Sequence, residues 1–293
     1  MRLRIVIDFQ GAQSSSSGLR GIGRYSMAFI KSLIKNHNGH DIVLALNGKF
    51  PESIIRIRES LDGLIDQSHI HIWNFPGSLS HLNPDNNPSR LAAEFFREAF
   101  LQSLKPDFIL VTSLFEGLTD DAVTSLRRFE NSPPVGIILY DLIPIIRRDV
   151  YLADERVAKW YEEKFEMAGS SDVIFAISES TKKEGVEYLD VAEGNIVAVS
   201  SDVDPIFRKL NPTPEDEKSV RDKFGLHLPF VMYTGGIDSR KNIEGLIAAF
   251  GRLPESVRSS HQLAIVCQIS ESQSLGLMSL AGEMGLGIDS LVT

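Results

Sequence analysis

The sequence is poor in cysteine: Cys267 is the only one among 293 residues, so no disulfide can form within the chain. This scarcity is typical of proteins from a reducing compartment. Long apolar runs are also missing, because no stretch reaches the roughly 18 apolar residues of a membrane-spanning helix. The first apolar run, at 3–9, is too short for a signal peptide and lacks a small-residue cleavage site. The sequence therefore predicts a cytoplasmic protein.

Positive charge is in deficit as well. Lys and Arg number 30 against 39 Asp and Glu, and the formal net charge is -9 at pH 7. A protein that grips a nucleic-acid backbone needs clustered cations, so we expect no nucleic-acid partner. Any site for an anion must therefore be local, made of loops, helix ends and a few basic side chains.

Metal-binding patterns are weak. The seven histidines show no convincing metal spacing, and His69 and His71, which alternate along one predicted strand, lack a third ligand. Asp202 and Asp204 form an Asp-x-Asp pair of the kind that bridges a metal to a diphosphate, but they lie in a proline-bearing segment. We therefore expect neither a metal nor another cofactor.

What the sequence does contain is a regular alternation of short apolar runs and amphipathic stretches. The apolar runs predict strands at 3–8, 41–46, 69–73, 107–111, 135–140, 172–177 and 195–199. Helical periodicity predicts helices at 23–36, 51–61, 89–104, 119–129, 155–168 and 179–189. Strands that are apolar throughout are typical of a parallel sheet covered by helices on both faces. The pattern therefore predicts an α/β, Rossmann-like doubly wound fold, whose ligands bind beyond the carboxyl ends of the strands.

A charged segment with three prolines, at 200–218, interrupts the alternation and is typical of a linker. Beyond it, strands are predicted at 229–234 and 262–267, with helices at 215–224, 242–252 and 273–284. We therefore predict an N-terminal domain at 1–200 and a second domain at 201–293. A doubly wound domain usually has five or six strands, so the second domain is predicted to be incomplete by roughly 70–100 residues.

The stretch GLRGIGRYS, residues 18–26, contains the first candidate site. It is not a dinucleotide fingerprint, because Gly21 lies far beyond the end of the first strand and the third glycine is missing. Gly21 and Gly23 can still bring the backbone close to an anion at a helix N-terminus, next to Arg24. The alternative is that both glycines only shape a loop. The serine run at 14–17 is predicted to be a flexible loop tip.

The stretch YTGGIDSRKN is the second candidate site. A buried strand runs into Gly235 and Gly236, and Arg240 and Lys241 then stand at the predicted start of a helix. A cation at a helix N-terminus costs about 0.3–1 kcal/mol because the dipole there is already positive. Two cations in a row are better explained by a bound anion of about two charges. The alternative is a solvated basic turn.

Together these stretches resemble family 4 of the retaining glycosyltransferases, which have the GT-B fold of two facing Rossmann-like domains. The resemblance runs from Met1 to Thr293 and rests further on the stretches LYDLIP (139–144), AISESTKKE (176–184) and SSDVDPIF (200–207). The most similar members are bacterial enzymes that build surface polysaccharide, often mannosyltransferases. The resemblance implies transfer of a sugar, such as mannose, from a GDP- or UDP-linked donor to a saccharide or lipid-linked acceptor.

The resemblance also implies roles for residues of the two glycine-containing stretches. Arg240 and Lys241 would hold the donor diphosphate and stabilise the departing charge, with Gly236 beside them. Gly21 and Gly23 would approach the same phosphates from the facing domain through their N–H groups.

Four further residues lie at or just after the carboxyl ends of predicted strands of the first domain. Tyr140 and Asp141 would lie near the reacting sugar or the acceptor, and they are the candidate catalytic residues. Ser178 and Glu179 would line the same cleft, although capping of the following helix is the alternative reading of both.

The sequence departs from the family pattern in three places. Many members have His where Tyr140 stands and Arg where Gly236 stands. The family also places two glutamates eight positions apart late in its second domain, and no such pair follows Lys241. We therefore expect a truncated enzyme with little or no turnover. Two alternatives stay open: a non-catalytic GT-B-like binding or assembly subunit, and an epimerase or phosphorylase that uses the same cleft.

Peripheral contact with the inner membrane is a further option. In the predicted helix 23–36, Met27, Ile30 and Leu33 form an apolar face flanked by lysines. Such a face rests either on lipid, near a lipid-linked acceptor, or on the sheet. Because this helix follows the first strand, we expect it to pack on the sheet.

Overall fold

The computed structural model describes residues 1–204, 206–267 and 269–293. Pro205, within the SSDVDPIF stretch, and Gln268 lie outside the described residues, as does the side chain of Ser239. The chain divides into two compact units, unit 1 at residues 1–205 and unit 2 at residues 206–293.

Unit 1 is built on a seven-stranded sheet in which all neighbouring strands are parallel. Its strands are β1 (Arg4–Asp8), β2 (Asp41–Asn47), β3 (Ile70–Trp73), β4 (Phe108–Val111), β5 (Val135–Leu139), β6 (Val173–Ala176) and β7 (Ile196–Ala198). Their order across the sheet is β3-β2-β1-β4-β5-β6-β7. The order reverses at β1, whose Val6 lies between Val43 of β2 and Ile109 of β4. At such a switch point an open α/β sheet forms a crevice for ligands.

Helices cover both faces of this sheet. They are α1 (Gly21–Lys35), α2 (Pro51–Ser60), α3 (Asn87–Ser103), α4 (Ile143–Ile146), α5 (Arg148–Tyr151), α6 (Glu155–Gly169) and α7 (Glu179–Tyr188). Val43 and Ile137 belong to one apolar layer, and their neighbours Leu44 and Ile138 belong to a second. Because successive strand residues point to opposite faces, the strands are buried on both sides. This confirms the predicted doubly wound sheet.

The apolar face of α1 packs on the sheet. Ile30 and Ile34 are buried in the second apolar layer, and Met27 and Leu33 pack against it. This face is therefore occupied by the sheet and not by lipid. Every helix in the described part of the chain is too short or too polar to span a bilayer.

The predicted helix at 119–129 is wrong. The chain there follows an irregular path between β4 and β5, and side chains from other elements satisfy its backbone. Gln10 donates to the carbonyl of Val123 at 2.5 Å and accepts from the N–H of the same residue at 2.9 Å. The buried ammonium group of Lys164, on α6, donates to the carbonyl of Thr124. These bonds replace the ones that a helix would have made.

A buried ion pair lies beneath this irregular segment. Asp8, at the end of β1, and Arg97, on α3, are both fully buried, and the Arg97 Nε lies 2.8 Å from a carboxylate oxygen of Asp8. Arg97 also donates to the carbonyl of Ser125 at 3.1 Å, and Gln10 donates to Asp8. Burial of two charges requires partners that replace water. These contacts therefore tie the end of β1 to α3 and to the irregular segment.

Unit 2 has a three-stranded parallel sheet in the order β10-β9-β8, with strands β8 (Phe230–Thr234), β9 (Gln262–Val266) and β10 (Leu291–Val292). Its helices are α8 (Pro214–Phe224), α9 (Ile243–Gly251), α10 (Glu255–Arg258) and α11 (Glu271–Glu283). β10 adds a third strand to the two that the sequence predicts, with Leu291 paired to Leu263. A run of two residues is too short to be recognised as a strand from the sequence.

β8 differs from the central strands of unit 1 in its exposure. Phe230, Val231 and Met232 are 37%, 45% and 57% exposed, and β8 lies at the edge of its sheet within the described residues. Because successive residues point to opposite faces, both faces of this strand meet solvent in unit 2. A strand that is apolar on both sides is usually covered on both sides.

Candidate functional site

Polar groups surround the switch point of unit 1, where the carboxyl ends of its central strands share one edge. β1 is followed by the 3-10 turn Gln10–Ala12 and then by α1. Thr112 follows β4, Tyr140 follows β5, and Ser178 caps the helix after β6. The structure therefore brings the predicted site residues of unit 1 to one edge of the sheet, where ligands bind in folds of this type.

Tyr140 joins β5 to the start of α1. Its hydroxyl lies 2.9 Å from Ser26 Oγ, and the carbonyl oxygens of Ile22 and Thr112 lie 3.3 Å and 3.1 Å from it. Burial raises the pKa of this hydroxyl above its ordinary value, so it stays protonated. The ring of Tyr25 packs edge-on against Tyr140, with centroids 5.6 Å apart. A catalytic role for Tyr140 stays a prediction, and the contacts show a residue that holds α1 in place.

Asp141 is half-buried at the same edge. One of its carboxylate oxygens accepts a hydrogen bond from the N–H of Ile143 at 3.2 Å. Burial raises the pKa of Tyr161, on α6, and the nearby charge of Asp141 raises it further. The carboxylate therefore lies within electrostatic reach of α6 as well as at the start of α4. Its role in catalysis stays a prediction.

The two glycines of the first stretch have different surroundings. α1 begins at Gly21, two residues earlier than predicted, and a side chain at Gly21 would meet open space. The N–H of Gly23 instead donates to the carbonyl of Ser17 at 3.1 Å, and a Cβ at Gly23 would overlap the carbonyl oxygen of Gly18. The N–H of Gly23 is thus already in use within unit 1, and its approach to a phosphate stays a prediction. Contact of Gly21 with a phosphate stays a prediction.

Ser178 is the N-cap of α7. Its hydroxyl accepts a hydrogen bond from the N–H of Thr181 at 3.0 Å, which confirms the capping alternative. Glu179 is exposed in the first turn of the helix, where a negative charge is favourable. Thr181 also donates to the carbonyl of Tyr140 at 2.9 Å, so α7 is tied to the end of β5. Lining of a cleft by Ser178 and Glu179 stays a prediction.

The run of four serines belongs to a loop at residues 14–20, here called the serine loop, whose residues bond to other parts of unit 1, and the flexibility of the run stays a prediction. Ser14 Oγ donates to a carboxylate oxygen of Asp120 at 2.7 Å, and the N–H of Ser15 donates to the same oxygen at 2.7 Å. Ser17 Oγ donates to Glu116 at 2.7 Å. The serine loop is therefore anchored at two carboxylates of the segment that follows β4.

Glu116 is a candidate functional residue that the sequence reasoning missed. It is 3% exposed and also accepts a hydrogen bond from Ser113 Oγ at 2.8 Å. Burial raises its pKa to about 7 and the nearby Asp120 contributes, although the serine hydroxyls act in the opposite direction. A carboxyl that titrates near neutrality is typical of functional sites. The signal in the sequence was a single acidic residue within an otherwise apolar stretch, SLFEGL.

The second stretch forms a loop at residues 235–242, here called the glycine loop, which follows β8. Gly235 has φ +156, and a Cβ there would lie 2.7 Å from the hydroxyl of Tyr233. That hydroxyl donates to the carbonyl of Gly236 at 2.7 Å. Asn242 has φ 50 and precedes α9. The tight turn at Gly235 thus brings the backbone of the loop against β8.

Arg240 and Lys241 lie in the 3-10 turn Ser239–Lys241, which ends directly before Asn242, the N-cap of α9. Both side chains are exposed. Neither cation has a carboxylate within ion-pair distance among the residues that the structure describes. Two cations beside a helix N-terminus, without a protein anion, can contact an anionic ligand.

The residues considered for a metal do not come together. No group of three or more His, Cys, Asp or Glu side chains within residues 1–204, 206–267 and 269–293 could hold a metal ion. His69 lies at the end of the 3-10 turn before β3, and its Nε2 is 3.2 Å from Asp41. Asp202 is exposed and accepts from the N–H of Val203 at 2.7 Å.

Comparison of the sequence with known proteins finds similar mannosyltransferases. The chain is 30% identical over 292 residues to the serotype-specific mannosyltransferase WbdA of Escherichia coli, and a second WbdA sequence is 27% identical over 264 residues. The first alignment covers 99% of this chain, and the chain spans about a third of the length of these relatives. No protein-family model matches the chain.

Comparison of the structure finds glycosyltransferase-like folds. Sucrose-phosphate synthase from Thermosynechococcus elongatus matches 99% of this chain and 69% of its own, with a TM-score of 0.62 and 16% identity. Anabaena Alr3699/HepE, in complex with UDP and glucose, matches 99% of this chain and 68% of its own, with a TM-score of 0.60 and 14% identity. At such identities the likeness concerns the fold alone, and it confirms the predicted α/β fold of GT-B type with Rossmann-like parallel sheets.

Proposed function

We propose that this chain is part of a retaining glycosyltransferase that moves mannose from a nucleotide-diphosphate donor to a saccharide or lipid-linked acceptor in surface polysaccharide synthesis. The observation that carries the proposal is the similarity to the E. coli mannosyltransferase, which extends over 99% of the chain. The GT-B-type fold agrees with it. Family 4 membership and the retaining mechanism are supported by the matching sequence stretches.

In this proposal the glycine loop binds the donor diphosphate. Arg240 and Lys241 are exposed and unmatched by carboxylates in the described residues, and a diphosphate supplies the missing negative charge. Gly236 has no side chain that would keep the phosphates away from the backbone. The cations would stabilise the charge that develops on the leaving nucleotide. The UDP bound to the Anabaena protein supports a nucleotide diphosphate as ligand.

The edge of unit 1 would bind the acceptor and the sugar that is transferred. Asp141 is half-buried there and keeps one carboxylate oxygen that no bond to Ile143 uses, so it can contact a sugar hydroxyl. Tyr140 contributes by holding α1, which begins at Gly21 beside the same edge. Glu179 is exposed at the start of α7 and can contact a saccharide.

We further propose that the chain is a partial enzyme with little turnover of its own. The exposed apolar residues on both faces of β8 support this proposal, because such a strand is normally covered. The coverage of about two thirds of each solved structure points in the same direction. Transfer of mannose at an ordinary rate by the 293-residue chain would contradict it.

Binding of GDP and UDP to the chain, measured by titration calorimetry, tests the donor site. We expect the double variant Arg240→Ala/Lys241→Ala to bind the preferred nucleotide about 100-fold more weakly, because it loses two charge-assisted hydrogen bonds of about 1.5 kcal/mol or more each. Lys209→Ala/Arg252→Ala, which removes two exposed cations elsewhere in unit 2, is the matched control. Equal binding by both double variants would overturn the assignment of the site.

A non-catalytic binding or assembly subunit is the alternative. It predicts that even a longer polypeptide containing this chain transfers no sugar from any donor in a panel of GDP- and UDP-sugars. The proposed enzyme instead transfers mannose once the donor site is complete. The product of that assay also reports whether the anomeric configuration of the donor is retained.

A further inference from the structure

A buried carboxyl joins the serine loop to the end of β4, and the proposed reaction assigns it no role. Glu116 accepts hydrogen bonds from Ser17 Oγ at 2.7 Å and from Ser113 Oγ at 2.8 Å. Ser17 in turn accepts the N–H of Gly23 at 3.1 Å and the N–H of Arg20 at 2.9 Å through its carbonyl. A continuous series of contacts thus leads from Glu116 to the first turn of α1.

The serine loop has a second anchor of different character. Asp120 accepts hydrogen bonds from Ser14 Oγ, from the N–H of Ser15 and from Ser15 Oγ, but two of these three bonds are exposed to solvent. Water can replace an exposed hydrogen bond at little cost. When a buried hydrogen bond breaks, by contrast, the donor and the acceptor are both left without a partner. Glu116 is therefore the anchor on which the position of the loop depends more strongly.

We propose that Glu116 is a positioning residue: its carboxyl clamps the serine loop to the end of β4 and thereby fixes the first turn of α1 at the ligand-binding edge of unit 1. The link to a ligand rests on the proposed function, because that edge would bind the acceptor and the transferred sugar. The clamp itself consists of hydrogen bonds within unit 1 and can be tested without any ligand.

The clamp has a pH dependence that a purely structural hydrogen bond lacks. Burial raises the pKa of Glu116 to about 7 from an ordinary 4.5. The titratable groups that act on it are Asp120, whose charge raises this pKa further, and Tyr140, whose own pKa is raised by burial so that it stays neutral. Because ionisation of a buried carboxyl favours its exposure to water, the loop is held fully below pH 4.5, and the hold weakens progressively as pH rises from 4.5 through 7.

Hydrogen exchange followed by mass spectrometry on the 293-residue chain tests this proposal. The readout is the protection factor of peptides that contain residues 14–24, with each rate divided by the intrinsic rate at the same pH. Between pH 6 and pH 8 we expect about a tenfold loss of protection in the wild type. This value follows from the pKa of the Glu116 carboxyl, which is about 7 in the held loop and 4.5 in the open loop. Glu116→Gln keeps a hydrogen-bonding side chain that does not titrate, so its protection should be the same at both pH values. Glu116→Ala should be poorly protected at both.

Glu59→Gln, which changes an exposed glutamate on α2, is the control and should behave as the wild type. The same loss of protection with pH in Glu116→Gln and in the wild type would overturn the proposal, as would wild-type protection in Glu116→Ala. If Glu116→Ala fails to fold, the comparison of Glu116→Gln with the wild type still tests whether the carboxyl of Glu116 holds the loop. Absence of mannose transfer by a longer polypeptide that contains this chain would refute the proposed function without changing the exchange result, so the two failures are distinguishable.

Discussion

The two loops that carry the candidate sites are built in opposite ways. The serine loop is held from inside unit 1 by the carboxylates Glu116 and Asp120 and by the bond from Gly23 to Ser17. The glycine loop is held by its own backbone, with a tight turn at Gly235 and a bond from Tyr233 to Gly236, and it presents exposed cations to solvent. The first loop is held by carboxylates of its own unit, whereas the second presents two exposed cations that no carboxylate of the described residues matches.

This difference shows why glycine is needed for different reasons in two stretches that look alike in sequence. In the first stretch Gly23, in the first turn of α1, is needed because its backbone packs closely on Gly18 of the serine loop. In the glycine loop the glycines leave room beside two cations. Substitutions at these glycines, at Glu116 and at the cations test whether the two loops are held in these two ways.

The largest effect is expected from Gly23→Ala. A Cβ there would overlap the carbonyl oxygen of Gly18 and would break the bond to Ser17. We expect the free energy of unfolding, measured with urea, to fall by about 2–4 kcal/mol. Gly21→Ala, where the added methyl group meets open space, should change it by less than about 1 kcal/mol. A similar loss of unfolding free energy in both variants would mean that glycine is not required at position 23 for packing against the serine loop.

An effect of intermediate size is expected from Glu116→Gln, and it depends on pH. The pKa of Glu116 is raised in the folded state to about 7 from 4.5, so its contribution to stability is fully present below pH 4.5 and is lost as pH rises through 7. Relative to the wild type, the variant should therefore gain up to about 3 kcal/mol of unfolding free energy between pH 4.5 and pH 8. Urea unfolding of both proteins across this range measures the gain, and a difference that does not change with pH would contradict it.

The smallest effect on stability is expected in the glycine loop. Removal of Arg240 or Lys241 should raise the unfolding free energy by no more than about 1 kcal/mol, because a cation beside a helix N-terminus is unfavourable. Arg24→Ala, in the first turn of α1, is the matched variant and should give a similar small rise. The rise should disappear in 1 M salt. A loss of stability on removal of Arg240 or Lys241 would show that these side chains support the loop.

The strands of unit 1 could be predicted because burial on both faces leaves a run of apolar residues, as in β2 and β5. The N-cap at Ser178 was also visible, because a serine before an amphipathic stretch has a local reason to be there. In both cases the residues that decide the structure are neighbours in the sequence.

The segment at 119–129 could not be predicted, because its helical periodicity competes with contacts that the sequence does not show. Gln10, Arg97 and Lys164 come from three other elements and take up its carbonyl groups. The anchored serine loop and the raised pKa of Glu116 depend on distant partners in the same way. Residues that act through long-range polar contacts leave no periodic signal, and Glu116 was missed for this reason.

The order of the strands in unit 1 also determines when its sheet can form during synthesis on the ribosome. β1 is made first, but one of its edges pairs with β4, so Ile5 must wait for Phe108, about a hundred residues later. At about 5–20 residues per second, this is a delay of roughly 5–20 s. During that time this edge of β1 lacks its neighbouring strand, and the buried carboxylate of Asp8 likewise has no ion-pair partner until Arg97 of α3 has been made.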